Sequence, residues 1–303
     1  MKNKKGKLFI NLLAAVIIAT TPIVAYCSES DPIDSLNVSN YYRRLSIGLN
    51  IPTYRDFATS PLFYNGYGIL LQTSWFKNSI RRERDLQIGL TLNNMSARIP
   101  KSNYIQPKTN AVFAQLNIRY NRLFQLKSIS NEKVNYKLGG LAQTTQNFRI
   151  NQNLQNNAIG LENITNLMVS AQMTRDVSRN RQRTFNFGLF KIRRSPVKRD
   201  LRFQLNYGIA NFNYRPGYAY TYVPEINGSE TSFIKFLRSS YKWSYFDGQR
   251  LNTDLEFIIY LPNGNATSWS YTWDIAHVPG NYQAFQMASH QIRYRLYFHA
   301  KKR

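Results

Sequence analysis

The chain has 303 residues, with one cysteine, Cys27, and three histidines. One cysteine excludes a four-cysteine zinc site and a disulfide framework. Acidic residues are also scarce: 16 Asp and Glu stand against 40 Lys and Arg, a formal charge of +24. Outside the N-terminus no apolar run approaches the roughly 18 residues that a spanning helix needs, which excludes a helical membrane protein. No helical periodicity persists, and no repeat of about 20–50 residues is present. A Gly-rich phosphate loop, a metal-spaced His/Cys cluster and a His-Glu-x-x-His pattern are missing, so neither a cofactor nor a metal is implied. Aromatic residues, by contrast, are abundant. The 21 Tyr and 18 Phe argue against a disordered basic tail.

Residues 1–27 read as a secretory signal peptide. Lys2, Lys4, Lys5 and Lys7 precede an apolar stretch from Leu8 to Ala25, and Cys27 leads into the polar Ser28-Glu29-Ser30. Residues 28–40 form a polar leader. No linker divides 41–303, which is read as one domain.

The domain is built on period two. In Asp85-Leu86-Gln87-Ile88-Gly89-Leu90-Thr91-Leu92-Asn93 every even position is a large aliphatic. A strand turns successive side chains to opposite faces, so this segment has one apolar and one polar face. The same alternation runs through Leu45 to Ile51, Ala114 to Tyr120, Leu201 to Ile209, Trp269 to Ile275 and Ile292 to Phe298. Weaker cases cover 67–77, 134–147, 161–175, 183–192, 232–246 and 251–261. The expectation is an all-β fold of about twelve antiparallel strands, with Asn263-Gly264 as a two-residue hairpin turn.

Periodicity alone leaves two architectures open. A soluble β domain buries its apolar faces, whereas a transmembrane barrel turns them to lipid. Export, strand length and aromatics near strand ends favour the barrel; these aromatics are Tyr41, Tyr42, Phe63, Tyr64, Trp75, Phe76, Phe124, Tyr214, Tyr218, Tyr220, Trp243, Tyr245 and Phe246. With these features the sequence resembles bacterial outer-membrane β-barrels, in particular the small monomeric porins of about twelve strands. The resemblance covers roughly residues 41–299. It departs at the C-terminus, where His299 to Arg303 follow the aromatic pair Tyr297-Phe298. It implies a cell outer-membrane location, outer-membrane lipid as a partner, and passage of small solutes, acidic oligosaccharides among them.

Alternation points Arg44, Arg119, Lys137, Arg202, Arg238, Lys242, Arg293 and Arg295 inward, together with Asp254, Glu256 and Asp274. Two readings follow. Free cations would focus a positive field and line a pore for small anionic solutes. Alternatively, Arg202, Arg293 and Arg295 pair with Asp254, Glu256 and Asp274 and plug the barrel. The expectation is the first, a passive channel or porin for small anionic solutes such as acidic oligosaccharides; the alternative is a non-conducting barrel subunit of a secretion, polysaccharide-export or surface-assembly system. The stretch from Tyr214 to Glu230 is then the candidate loop for a protein partner. Nucleic acid is not expected as a partner, because the basic residues are dispersed. A lipid-modifying enzyme would need His290 beside a serine, but the adjacent Ser289 points to the opposite face of its strand. The expectation is therefore a chain that is not an enzyme and has no catalytic residue.

Overall fold

The alternating segments form strands longer than their aliphatic runs alone suggest. A computed structural model describes residues 40–98, 108–179, 182–187, 190–194, 196–215, 241–279 and 284–300. Its strands are β1 (Asn40–Asp56), β2 (Ser60–Asn78), β3 (Arg82–Arg98), β4 (Lys108–Gln125), β5 (Val134–Ile150), β6 (Ile159–Asp176), β7 (Arg183–Phe187), β8 (Phe190–Arg194), β9 (Arg199–Tyr214), β10 (Tyr241–Tyr245), β11 (Arg250–Tyr260), β12 (Ala266–Val278) and β13 (Phe285–Ala300). The signal-peptide and leader assignments fall on residues outside this set, apart from Asn40, which opens β1.

Ten strands close a ring in the order β1–β2–β3–β4–β5–β6–β9–β11–β12–β13. The ring shuts where β13 pairs with β1, Leu45 opposite Leu296, and every pairing in it is antiparallel. Closure leaves no open edge along the wall, which satisfies the backbone without water.

The count of about twelve strands is corrected to ten. The segment 183–192 contributes no stave: β7 and β8 pair with each other in a short hairpin between β6 and β9. Among its described residues the segment 232–246 contributes β10, which adds no stave of its own: it pairs with β9 on the flank that β11 also uses. Between β10 and β11 the chain bulges through Phe246 (φ 54°) and Gly248 (φ 79°). The Asn263-Gly264 turn is also corrected. Leu261 N–H bonds to the Asn265 carbonyl at 2.8 Å, enclosing a three-residue loop with Gly264 at φ 82°. That is a turn followed by a left-handed residue, the usual three-residue hairpin.

The faces are sorted with the apolar side outward. Ile47 and Leu49 are 57% and 61% exposed, while Arg44 and Asn50, one face over on the same strand, are 2% and 0% exposed. Ile69, Leu116, Ile118, Leu167, Val169, Leu205, Leu255 and Ile292 extend this outer apolar band around the wall. A water-facing surface does not carry a contiguous band of this kind, whereas lipid favours it. A 17-residue strand such as β1 reaches about 40 Å along the axis when tilted about 45°, enough to cross a hydrocarbon core of about 30 Å.

Outward aromatics flank the band. Trp75, Phe124, Trp269 and Phe298 stand near the end that holds the start of β1. Phe63, Phe148, Trp243 and Tyr245 stand near the other. Four aromatics placed near strand ends by sequence, Tyr42, Tyr64, Phe76 and Tyr214, point inward instead and are buried. Tyr218 and Tyr220 lie outside the described residues.

Gly48 shows how tightly the inner wall is packed. A β-carbon there would lie 2.3 Å from the Ile292 carbonyl oxygen and 2.8 Å from Cγ of Arg293, whose stem crosses the glycine. Gly48→Ala is expected to cost about 1–3 kcal/mol by overpacking. Urea titration of the lipid-refolded protein, followed by tryptophan fluorescence, measures it; an unchanged midpoint would refute the packing argument.

Candidate functional site

The lumen is the candidate site, because alternation delivers the polar half of every strand to it. Each of its two ends carries an apolar cluster. Near the start of β1, Tyr42, Phe76, Ile258, Ala266 and Tyr297 form one cluster. At the opposite end Tyr54, Tyr64, Met95, Phe113, Ile164 and Phe285 belong to another, with Tyr54 and Tyr64 stacked at 4.8 Å between ring centroids.

Charged groups fill the space between, and among the described residues eleven ion pairs join eight cations to seven carboxylates. Glu256 is one hub. It is 1% exposed and takes Arg202, Arg295 at 2.8 Å, the Ser268 hydroxyl at 2.6 Å and the Tyr297 hydroxyl at 2.5 Å. Asp254 takes Arg293 at 2.8 Å and Arg295 at 3.0 Å. Both arginines stand on β13 and reach past β12 to meet their partners on β11. Arg44 pairs with Asp85, and its Nε donates to Ser74 on the intervening strand at 2.7 Å.

Several contacts cross the barrel. Arg202 on β9 meets Glu83 on β3 at 3.4 Å, and Lys137 reaches the same carboxylate at 3.3 Å. Arg119 on β4 donates to Asn252 on β11 at 2.9 Å. Arg250 holds Asp274 through two N–H groups, at 3.0 and 2.6 Å, and donates to Thr145 on β5 at 3.0 Å. At the far end Asp56 on β1 accepts from Arg149 on β5 at 2.6 Å and from Arg215, just past β9, at 2.5 Å. Arg149 also pairs with Glu162.

Of the residues singled out by sequence, Arg44, Arg119, Lys137, Arg202, Arg293, Arg295, Asp254, Glu256 and Asp274 all turn into the lumen. Lys242 is half-buried on β10, opposite the buried Asn213. Arg238 lies outside the described residues. Sequence reasoning missed Asp56, Glu83, Asp85, Arg149, Glu162, Arg215 and Arg250. A clue was present for some of them: Asp56 shares parity with Arg44, Asp85 with Gln87, and Arg250 with Asp254.

His290 and Ser289 take opposite sides of β13. The His290 ring faces outward, with Nδ1 2.6 Å from the Tyr271 hydroxyl and the rings of Tyr271 and Trp273 alongside. Ser289 lines an internal cavity of about 40 Å³ at mid-height. No group of three or more His, Cys, Asp or Glu able to hold a metal is found among the described residues.

No protein-family pattern and no curated protein sequence matches the chain. Solved structures do align with it. The outer membrane protease OmpT from Escherichia coli is 8% identical over 90% of this chain and 100% of its own, with a TM-score of 0.46. An outer membrane channel from Pseudomonas putida F1 is 9% identical over 89% of this chain and 100% of its own, with a TM-score of 0.30. The translocator domain of the autotransporter NalP from Neisseria meningitidis is 9% identical over 97% and 95%, with a TM-score of 0.27. One of these barrels is a protease, so the expectation that the chain is not an enzyme is withdrawn, while a likeness at this level assigns no activity. The chain is a closed antiparallel β-barrel, similar in fold to outer-membrane β-barrels that serve as channels, a translocator domain and a protease.

Proposed function

We propose that the protein is an outer-membrane barrel closed to solutes at rest, serving as the membrane-embedded part of an export or surface-assembly system. The observation that carries this reading is the set of ion pairs spanning the lumen, above all Arg202 with Glu83 and Arg149 and Arg215 with Asp56. A pore for small anionic solutes such as acidic oligosaccharides would draw on the field of unpaired cations. Here Arg44, Lys137, Arg202, Arg293 and Arg295 are each spent on a carboxylate. The apolar clusters at both ends narrow the path further. The outer apolar band and its aromatic borders support the membrane placement, and the signal-peptide pattern of residues 1–27 supports export.

In this reading the partner meets the loops rather than the lumen. The Tyr214 to Glu230 stretch remains the candidate contact. Its first residues close β9 and dock Arg215 on Asp56, and the remainder lies outside the described residues.

Planar-bilayer recording of the refolded protein in concentrated KCl tests the proposal. The expected trace is flat at moderate voltage under conditions where a reference porin gives steps. Stable anion-selective steps would overturn it in favour of the porin.

A further inference from the structure

Eight of the lumen's cations have a carboxylate within ion-pair distance, but Arg119 does not. It is 8% exposed, and its one hydrogen bond goes to a neutral acceptor, Oδ1 of Asn252. Its Nε–H is buried without a partner. Arg119 lines the cavity of about 40 Å³ at the middle of the barrel. Arg293 lines the same cavity, and its Nε–H is likewise buried without a partner.

A guanidinium cannot shed its proton in a protein. A buried charge without a counter-charge is strongly unfavourable. The other charged groups on this cavity are already matched: Asp274 is held by Arg250, and Arg293 shares Asp254 with Arg295. Among the described residues no carboxylate therefore comes within ion-pair distance of Arg119; Asp254 and Asp274 act on it only from farther away and are engaged by other arginines. A water could accept its free N–H but would bring no charge.

The geometry points to a site for a small monovalent anion of chloride size in this cavity, held chiefly by Arg119 with Arg293 beside it. Size sets the class. About 40 Å³ accommodates about three or four water-sized spheres, at roughly 10–15 Å³ each, which suits a halide with one or two accompanying waters. It does not suit a sugar acid. Ser289 on the lining offers a hydroxyl donor. The site acts as an internal counter-ion position that reduces the excess positive charge of the lumen, and it does so whether or not the barrel conducts.

Bromide is the probe. Crystals of the full-length protein grown in bromide salt should show an anomalous peak in the cavity beside Arg119, and the peak should vanish in Arg119→Gln. A wild-type cavity without such a peak, or one holding water only, overturns the proposal. In detergent, replacing chloride with the bulky gluconate ion at constant ionic strength should lower the wild-type melting temperature by roughly 5 °C. An identical melting temperature in the two salts also overturns it. Both wild-type measurements stand if Arg119→Gln fails to fold.

Discussion

Glu256→Met is expected to destabilise the folded barrel by about 3–5 kcal/mol, because removing one partner leaves buried charges uncompensated. Arg202 and Arg295 both lean on this carboxylate, and the Ser268 and Tyr297 hydroxyls donate to it. The informative comparison is the triple variant E256M/R202M/R295M. Glu83 then retains Lys137 and Asp254 retains Arg293, so every remaining carboxylate of the network keeps a cation. Replacing a whole buried ionic cluster with apolar groups of similar volume is often neutral or stabilising. The triple variant should therefore fold more stably than the single one, although it carries more substitutions. Urea-induced unfolding from phospholipid vesicles gives both values. A single variant at wild-type stability, or a triple variant worse than the single, would show that these contacts do not act as one network.

Leu49→Arg should cost about 2–4 kcal/mol, the penalty for a charge at the bilayer midplane on the lipid face of a barrel. Leu49 is 61% exposed, with Ile292 and Ile69 in register on either side and exposed as well. The sign separates the two architectures that alternation leaves open. On a water-facing surface the same change would fall within about 0.5 kcal/mol of neutral. Asn50→Leu, one residue along, inverts the test. Asn50 is fully buried and donates to Asn93 Oδ1 at 2.7 Å, so an added apolar side chain there should harm folding although it makes the strand more hydrophobic.

Most of the wall was legible because a strand has a fixed period. Once Leu86, Ile88, Leu90 and Leu92 alternate with Asp85, Gln87, Gly89 and Thr91, their separation onto two faces follows from backbone geometry alone. The same rule placed Arg44, Arg202, Arg293 and Arg295 together on the polar side. It failed where a segment alternates but is not a stave. Residues 183–192 match the pattern, yet the chain reverses between β7 and β8 after five-residue strands. Aromatic residues misled in a different way. Tyr42 and Phe76 sit near strand ends as an interfacial belt would require, but their parity is that of Arg44 and Ser74, and they close the lumen instead.

The sequence by itself determined the secondary structure, the division of each strand into an apolar and a polar face, and the membership of most of the charged face. Each of these is a local property carried by neighbouring residues. Two matters were decided only by tertiary structure. The first is the number of staves, and with it the closure of the sheet, since closure depends on β13 finding β1 across nearly the whole chain. The second is whether the inward arginines are free or paired. Their partners are remote in sequence: Arg215 and Asp56 are 159 residues apart, Arg202 and Glu83 are 119. No reading of local pattern brings such groups together, because ring closure is what turns opposite walls of the barrel into neighbours. That closure converts a surplus of basic residues into a nearly balanced interior, with Arg119 left over.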